Sequence, residues 1–126
     1  MRIVIQRVLE ASVSIAGIQT AAIGQGVLVL VGFESSDTSA DVGWMCSKVC
    51  GMRIFSDANG KMNASVLDVE GELLVVSQFT LHAATRKGNR PSFMQAARPE
   101  QAIPPYEEFV EALASRLPLC TRALGT

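Results

Sequence analysis

The chain has 126 residues, of which 48% are hydrophobic and 18% charged, and its formal net charge is −1. This composition supplies a core and excludes a disordered chain, and the near-neutral charge excludes a globally basic nucleic-acid binder. The longest apolar runs are too short to span a bilayer, and the N-terminus has no signal-peptide pattern. We expect one soluble, unexported domain over residues 1–126, without a membrane partner.

The first third of the chain predicts strands. Arg2–Val8 alternates apolar and polar residues, Ala11–Ile15 is its predicted hairpin partner, and Ile18–Ile23 adds a further strand. Residues 27–33 are apolar on both faces. We therefore expect that stretch to be a buried central strand.

A helix and a hairpin are predicted next. Thr38 and Asp41 resemble a capping box at the start of the helix. Its apolar stripe at helical spacing consists of Val42, Met45, Cys46, Val49 and Cys50. A short strand at 52–55 leads into Asn59-Gly60, which favours a hairpin turn.

The second half adds a long strand and a second helix. The strand is predicted over residues 72–80, and the helix from Pro104-Pro105 to just before Pro118. The apolar face of this helix consists of Tyr106, Phe109, Val110, Leu113, Ala114 and Leu117. The predicted fold class is α+β, with a mostly antiparallel sheet curled toward a barrel and two amphipathic helices.

The cysteines favour free thiols. Cys46, Cys50 and Cys120 are odd in number, and His82 is the single histidine. A metal site needs more ligands than these. Buried free cysteines in a reducing compartment are therefore favoured over a metal or disulfide role, and no cofactor is expected.

A basic segment follows the long strand. Between residues 81 and 99 lie Arg86, Lys87, Arg90 and Arg98, with no acidic residue. Two interpretations stay open: a solvated loop, or an anion site for phosphates. Phe93 and a glycine in the same segment suit the end of a nucleotide chain.

The polar end of the long strand is the candidate for chemistry. In an extended strand Gln78 and Thr80 point to one face, and His82 follows on that face if the strand continues. A hydroxyl nucleophile needs a base, but a lone histidine near a strand end is more often a surface residue. No nucleophile elbow, P-loop or dinucleotide motif is present. Backbone N–H groups or the substrate would have to supply more of any catalysis.

Several blocks resemble one family in order along essentially the whole chain. They are MRIVIQRV, SVLDV, GELLVVSQFTL, TRKGNRPSF and PPYEEFVEAL. Together they resemble the D-aminoacyl-tRNA deacylases. The resemblance implies a cytoplasmic, metal-free homodimer that hydrolyses the ester between a D-amino acid and the terminal adenosine of tRNA. It also implies removal of glycine from mischarged tRNA(Ala).

The resemblance also implies site residues. Thr80 and Gln78 would be catalytic, either with Thr80 as nucleophile or with the 2′-OH of the tRNA in the main role. The second view is favoured because no base for Thr80 is evident in the sequence. Arg7 would neighbour the loop that selects chirality, and the basic segment would hold the acceptor end of the tRNA. The implied substrate-binding residues are Ser77, Phe79, Arg7, Arg90, Pro91, Ser92 and Phe93.

One motif of the family is missing from the sequence. Members continue with Asn-x-Gly-Pro-x-Thr, whose Gly–cis-Pro enters the partner subunit's pocket and rejects L-amino acids. They often carry an aromatic near the position of Leu124. We therefore expect reduced deacylation and poor chiral selectivity. The alternatives are a noncatalytic nucleic-acid-binding module and a hydrolase of another small ester or amide.

Overall fold

The computed structural model describes residues 1–82, 86, 88–94, 96–117 and 120–123, with only the backbone described at 79, 80 and 120–123. The strands are β1 (Arg2–Val8), β2 (Ala11–Ile15), β3 (Ile18–Ile23), β4 (Gly26–Gly32), β5 (Phe55–Ser56), β6 (Met62–Ala64), β7 (Glu72–Ser77) and β8 (Cys120–Ala123). The helices are α1 (Ser39–Gly51) and α2 (Pro99–Arg116), and a short 3-10 turn covers Phe79–His82.

The main sheet has the strand order β1-β4-β7-β8. β1 runs antiparallel to β4, whereas β4 and β7, and β7 and β8, are parallel. The β2–β3 and β5–β6 pairs are antiparallel. Among the described strands, antiparallel pairings outnumber parallel ones by three to two, and the α+β fold with two helices is as predicted. No closed barrel forms among the residues described.

The predicted hairpin between β1 and β2 is wrong. β2 pairs with β3 through a tight turn in which Ala16 and Gly17 have φ values of 52° and 80°. Two consecutive positive φ values match the twist of a two-residue hairpin. β1 instead pairs with β4, so that Ile3 and Ile5 pack against the main core.

β4 is the buried central strand that the sequence predicts. Val27, Val29 and Val31 face the main core with the helices, while Leu28 and Leu30 pack with the β2–β3 side. Both faces of the strand are therefore covered by apolar side chains. This explains why its sequence lacks the alternation of a half-exposed strand.

The start of α1 confirms the capping prediction. The carboxylate of Asp41 accepts hydrogen bonds from the Thr38 N–H at 2.9 Å and the Thr38 hydroxyl at 3.1 Å. The bond from the Thr38 backbone, followed by the bond from its hydroxyl, lowers the pKa of Asp41. The buried residues of the helix are Val42, Cys46, Val49 and Cys50, which lie on the predicted stripe.

The predicted start of α2 is wrong by five residues. The helix begins at Pro99, where the missing N–H of proline costs no intrahelical bond, and Pro104 and Pro105 lie within it. The predicted face is wrong at Ala114, which is exposed, and it is confirmed for its buried members Tyr106, Phe109, Val110, Leu113 and Leu117. Tyr106 is buried, and its hydroxyl donates to the Val75 carbonyl of β7 at 3.1 Å.

Two predicted strands are shorter in the structure than expected. The strand expected at 52–55 is reduced to Phe55–Ser56, and the hairpin to β6 forms as predicted, with Gly60 at φ 76°. The strand expected at 72–80 ends at Ser77. This earlier end changes the geometry of the candidate site.

Candidate functional site at the end of β7

The polar group begins where the parallel ladder between β4 and β7 ends. Ser77 is the last paired residue and is in register with Val31. The next N–H, that of Gln78, still donates to the Val31 carbonyl at 2.7 Å, and the chain then enters the 3-10 turn Phe79–His82. The prediction that Gln78 and Thr80 share a strand face is therefore wrong.

The 3-10 turn lies directly against the end of β4. A Cβ atom on Gly32 would be 2.8 Å from the Gln78 carbonyl oxygen and 3.0 Å from the His82 ring. The first bond of the turn, from the Leu81 N–H to the Gln78 carbonyl, is long at 3.4 Å. The guanidinium of Arg2 donates to the Leu81 carbonyl at 3.0 Å. Glycine is thus required at position 32 by the close approach of the turn.

His82 is a buried residue, which contradicts its interpretation as a surface histidine. Its side chain has 0% exposure, and Nδ1 lies 3.1 Å from Glu34 Oε1. Despite this short contact, neither ring nitrogen makes a hydrogen bond within the described part of the chain. Residues two apart in a 3-10 helix point in different directions. The turn therefore does not provide the strand-face Thr80–His82 pair, and the Thr80 side chain lies outside the described residues.

The basic segment returns to the same end of the sheet. The Ala96 N–H donates to the Phe93 carbonyl at 3.1 Å, and the Ala97 N–H donates to the Phe33 carbonyl at 2.8 Å. Glu34 and Ala96 form an antiparallel bridge. Because residues 33 and 34 follow β4 directly, these bonds bring the segment close to the end of β7.

Cationic side chains of this segment face solvent. The exposed residues of this segment include Arg86, Arg90, Pro91, Ser92 and Arg98. Phe93 is 37% exposed, and Lys87 lies outside the described residues. Within the described part of the chain, neither Arg86 nor Arg90 pairs with a carboxylate. Their charge is therefore not neutralised locally, as an anion site requires.

Arg7 lies at the opposite end of the sheet. It is in register with Val27, which pairs with Leu73, four residues before Ser77. At the usual rise per residue this separation is about 13 Å along the strands. The Arg7 guanidinium donates to the Ile54 carbonyl at 2.6 Å. This chain therefore does not bring Arg7 together with the polar turn.

A pocket of about 290 Å³ surrounds this arginine. It is lined by Arg7, Val8, Leu9, Gln25, Phe55, Ser56 and Val69. No pattern in the sequence indicates this pocket, because its walls come from β1, the turn before β4 and the β5 region. It is separate from the turn after β7.

The described cysteines are buried free thiols, as predicted. Cys46 and Cys50 are both buried and unpaired in a disulfide, and the Cys120 side chain lies outside the described residues. Burial, followed by the neighbouring Cys46, raises the pKa of the Cys50 thiol to about 11. Such a thiol is protonated at neutral pH and is a poor nucleophile.

The described residues include neither a candidate metal site nor a membrane-spanning helix. Within this part of the chain, no three His, Cys, Asp or Glu side chains are grouped closely enough to hold a metal ion. Nor does any described helix have the length and apolar character needed to cross a bilayer.

Three residues that contact the turn were missed by the sequence reasoning. They are Arg2, Gly32 and Glu34. Each is distant from Ser77 along the chain and belongs to a different predicted element or loop. Only the glycine at the end of an apolar strand offered a signal, since such a glycine often marks a close backbone approach.

Fold and site together define a class. This is an α+β protein whose candidate site is a polar backbone turn beside a cationic segment. The family model "D-Tyr-tRNA(Tyr) deacylase" matches residues 4–123. The chain belongs to the D-Tyr-tRNA(Tyr) deacylase family.

Individual relatives are similar over most of the chain. A D-aminoacyl-tRNA deacylase of Akkermansia muciniphila is 62% identical over 117 residues, which are 93% of this chain and 78% of the relative. One of Flavobacterium johnsoniae is 58% identical over 113 residues, covering 90% of this chain and 75% of that relative. Both relatives carry the name of the deacylase.

Two solved structures share the fold. The c-Myc DNA Unwinding Element Binding Protein superposes with a TM-score of 0.92 at 41% identity, covering 97% of this chain and 83% of that one. A probable eukaryotic D-amino acid tRNA deacylase superposes with a TM-score of 0.76 at 19% identity, covering 90% and 67%. The second likeness concerns the fold alone.

Proposed function

We propose that this chain hydrolyses the ester bond of D-aminoacyl-tRNA at the turn that follows β7. Its relatives at 54–62% identity over most of the chain carry the name of this activity. The reaction adds water across the ester and releases a free D-amino acid and tRNA. The noncatalytic nucleic-acid-binding alternative is not favoured.

The observation that carries the site assignment is the position of the turn. The first hydrogen bond of the turn is donated by the Leu81 N–H to the Gln78 carbonyl, so the Phe79 and Thr80 N–H groups precede it. The first N–H groups of a helical turn have no acceptor within it. We assign these two amides to the ester carbonyl, where they would stabilise the developing oxyanion.

The remaining site residues position the substrate in this proposal. Gln78 and Ser77 are half-buried beside the turn. The exposed arginines of the basic segment would bind phosphates of the acceptor end, and Phe93 would stack on a base. The 2′-OH of the terminal adenosine, rather than Thr80, would assist the attacking water. Glycine, with no side chain to exclude, would be a substrate on tRNA(Ala).

The functional unit in this proposal is a homodimer in the cytoplasm. Val4 on the edge strand β1 is 50% exposed, and an unpaired strand edge is a surface that a second subunit can cover. Arg7 would then serve a site that includes the partner subunit. Free buried thiols at Cys46 and Cys50 fit a reducing compartment. Light scattering during gel filtration would measure the mass in solution.

A comparison of three substrates tests the activity. Purified protein is incubated with D-Tyr-tRNA, with L-Tyr-tRNA and with D-tyrosine methyl ester, and ester cleavage is followed over time. We expect cleavage of D-Tyr-tRNA well above the buffer rate and none of the methyl ester. Equal cleavage of the methyl ester would favour a general esterase, while binding of D-Tyr-tRNA without cleavage would favour a binding module.

A further inference from the structure

We propose that Arg2 and the Glu34–His82 pair are positioning residues that hold the 3-10 turn in its active arrangement. This inference rests on the proposed function, because it concerns the amides assigned to the ester carbonyl. None of these three side chains touches the substrate in the proposal. They act through the backbone of the turn.

The turn needs support from outside because its own bonding is weak. It is only four residues long, and its first backbone bond is 3.4 Å. Short 3-10 helices have poor hydrogen-bond geometry and are marginal by themselves. The Gln78 N–H bond to the Val31 carbonyl anchors the entry to the turn. Its exit must be held by other groups.

Arg2 holds the exit from the β1 side. It is in register with Gly32, the last residue of β4, and its Nη1 donates to the Leu81 carbonyl at 3.0 Å. A guanidinium donor makes a charge-assisted bond that is stronger than a neutral one. This contact fixes the third residue of the turn relative to the sheet.

His82 supports the exit through a contact with the end of β4. The ring is fully buried and lies against Gly32, with Nδ1 3.1 Å from the Glu34 carboxylate. Buried polar atoms without hydrogen bonds are costly and uncommon in native structures. In this proposal the cost is tolerated because the buried ring supports the turn. The ring fills the space beneath the turn, and Glu34 restrains it at the surface.

The position of Glu34 connects this restraint to the basic segment. Glu34 bridges to Ala96, and the Phe33 carbonyl accepts from Ala97. The same loop therefore touches both the turn and the end of the cationic segment. A shift of Glu34 would move the two halves of the proposed site relative to each other.

The test uses two pairs of variants. Arg2→Ala and Glu34→Ala remove each contact, whereas Arg2→Lys and Glu34→Gln keep a donor or a polar oxygen at similar reach. Arg53→Ala is the matched control, since Arg53 is exposed and donates a hydrogen bond to Asn63 at 3.0 Å, away from the turn. His82→Ala is a supplementary variant because removal of a buried ring can also unfold the chain.

Two readouts are measured on each folded variant. With D-Tyr-tRNA, Arg2→Ala and Glu34→Ala should each lower kcat about tenfold, with KM changed less than about twofold, because misplaced amides weaken transition-state contacts. The kcat of Arg2→Lys and of Glu34→Gln should be at least about threefold higher than that of the corresponding alanine variant. Residue-resolved hydrogen exchange should show about tenfold faster exchange at the Gln78 and Leu81 amides in the two alanine variants.

The outcomes separate this inference from the proposed function. Unchanged amide exchange in both alanine variants, or a kcat loss no greater than that of Arg53→Ala, would overturn the positioning role. A lower melting temperature with unchanged kcat for the folded fraction would also overturn it, in favour of a purely structural role. If the wild-type protein cleaves no D-Tyr-tRNA, the proposed function fails, while the exchange measurement still decides whether these side chains hold the turn.

Discussion

The Gln78 N–H donates to the Val31 carbonyl at 2.7 Å, one residue beyond the last paired residue of β7. This bond carries the parallel ladder into the 3-10 turn, so the turn takes its position from β4. Through β4 the turn is also coupled to β1, whose Arg2 reaches the Leu81 carbonyl. The candidate site is therefore built from three strands that are distant in sequence.

The close contact at Gly32 gives a first prediction. Gly32→Ala places a methyl group 2.8 Å from the Gln78 carbonyl oxygen. Relief of this overlap should cost about 1–3 kcal/mol of stability and displace the turn. Deacylation of D-Tyr-tRNA should fall about tenfold or more as the amides move. Urea unfolding and initial rates measure the two effects.

Gly43 provides the control for this substitution. It lies in α1 with nothing within 4 Å of an added Cβ atom. Gly43→Ala should stabilise the protein by about 0.5–1 kcal/mol, because glycine disfavours a helix interior, and should leave the rate unchanged. A Gly32→Ala protein that is as active and as stable as Gly43→Ala would contradict the close approach of β4 to the turn.

The different roles proposed for Thr80 and for the 2′-OH of the tRNA give a second prediction. In the proposed mechanism Thr80 is part of the substrate cradle, so Thr80→Ala should keep the rate within about tenfold of wild type. D-Tyr-tRNA with a 2′-deoxy terminal adenosine should lose about 100-fold or more, since the assisting hydroxyl is absent. Single-turnover assays measure both. The reverse pattern would make Thr80 the nucleophile.

The buried hydroxyl of Tyr106 gives a third prediction. Tyr106→Phe removes the donor to the Val75 carbonyl while keeping the ring in the core. The free energy of unfolding should fall by about 1 kcal/mol, because one buried hydrogen bond is lost.

Another hydroxyl deletion on the same helix is the matched control. Ser115→Ala removes an exposed hydroxyl that donates to the Ala112 carbonyl at 2.7 Å, and its effect should stay within about 0.5 kcal/mol. Equal losses for Tyr106→Phe and Ser115→Ala in urea unfolding would refute the importance of the buried bond between α2 and β7.

Two carboxylates that accept local backbone hydrogen bonds give a prediction for pH. Backbone hydrogen bonds from Thr38 and Ser65 lower the pKa values of Asp41 and Asp68, respectively, below the usual 3.8. A lowered folded-state pKa means that the stabilisation is present above the unfolded-state value and is lost as the pH falls through the folded-state value. Acid should therefore weaken the protein progressively below about pH 4.

The double variant Asp41→Asn/Asp68→Asn isolates this effect. The free energy of unfolding should depend less steeply on pH between about 4 and 2 than in wild type, because two linked protonations are removed. Urea unfolding at several pH values gives the slope. Asp57→Asn, which alters another turn carboxylate, is a comparison variant. An unchanged slope in the double variant would show that other carboxylates dominate acid unfolding.

Much of the secondary structure could be read from local patterns. The buried β4, the Thr38–Asp41 cap and the apolar faces of both helices depend on residues close together in sequence. Two of the errors concern local signals that the pattern of apolar residues does not show. β2 pairs with β3 because its turn adopts positive φ values. α2 starts before its two inner prolines because Pro99 already suits a first turn.

The sequence by itself determined the α+β class, the family and the Ser-Gln-Phe-Thr group as the candidate site, because each rests on residue types in a fixed local order. Only the tertiary structure decided that the strand ends at Ser77, that His82 is buried, and that Arg7 lies at the far end of the sheet. It also decided which side chains support the turn. These features depend on strand register and on the close approach of β4, because both are decided by residues that are distant from one another in the sequence.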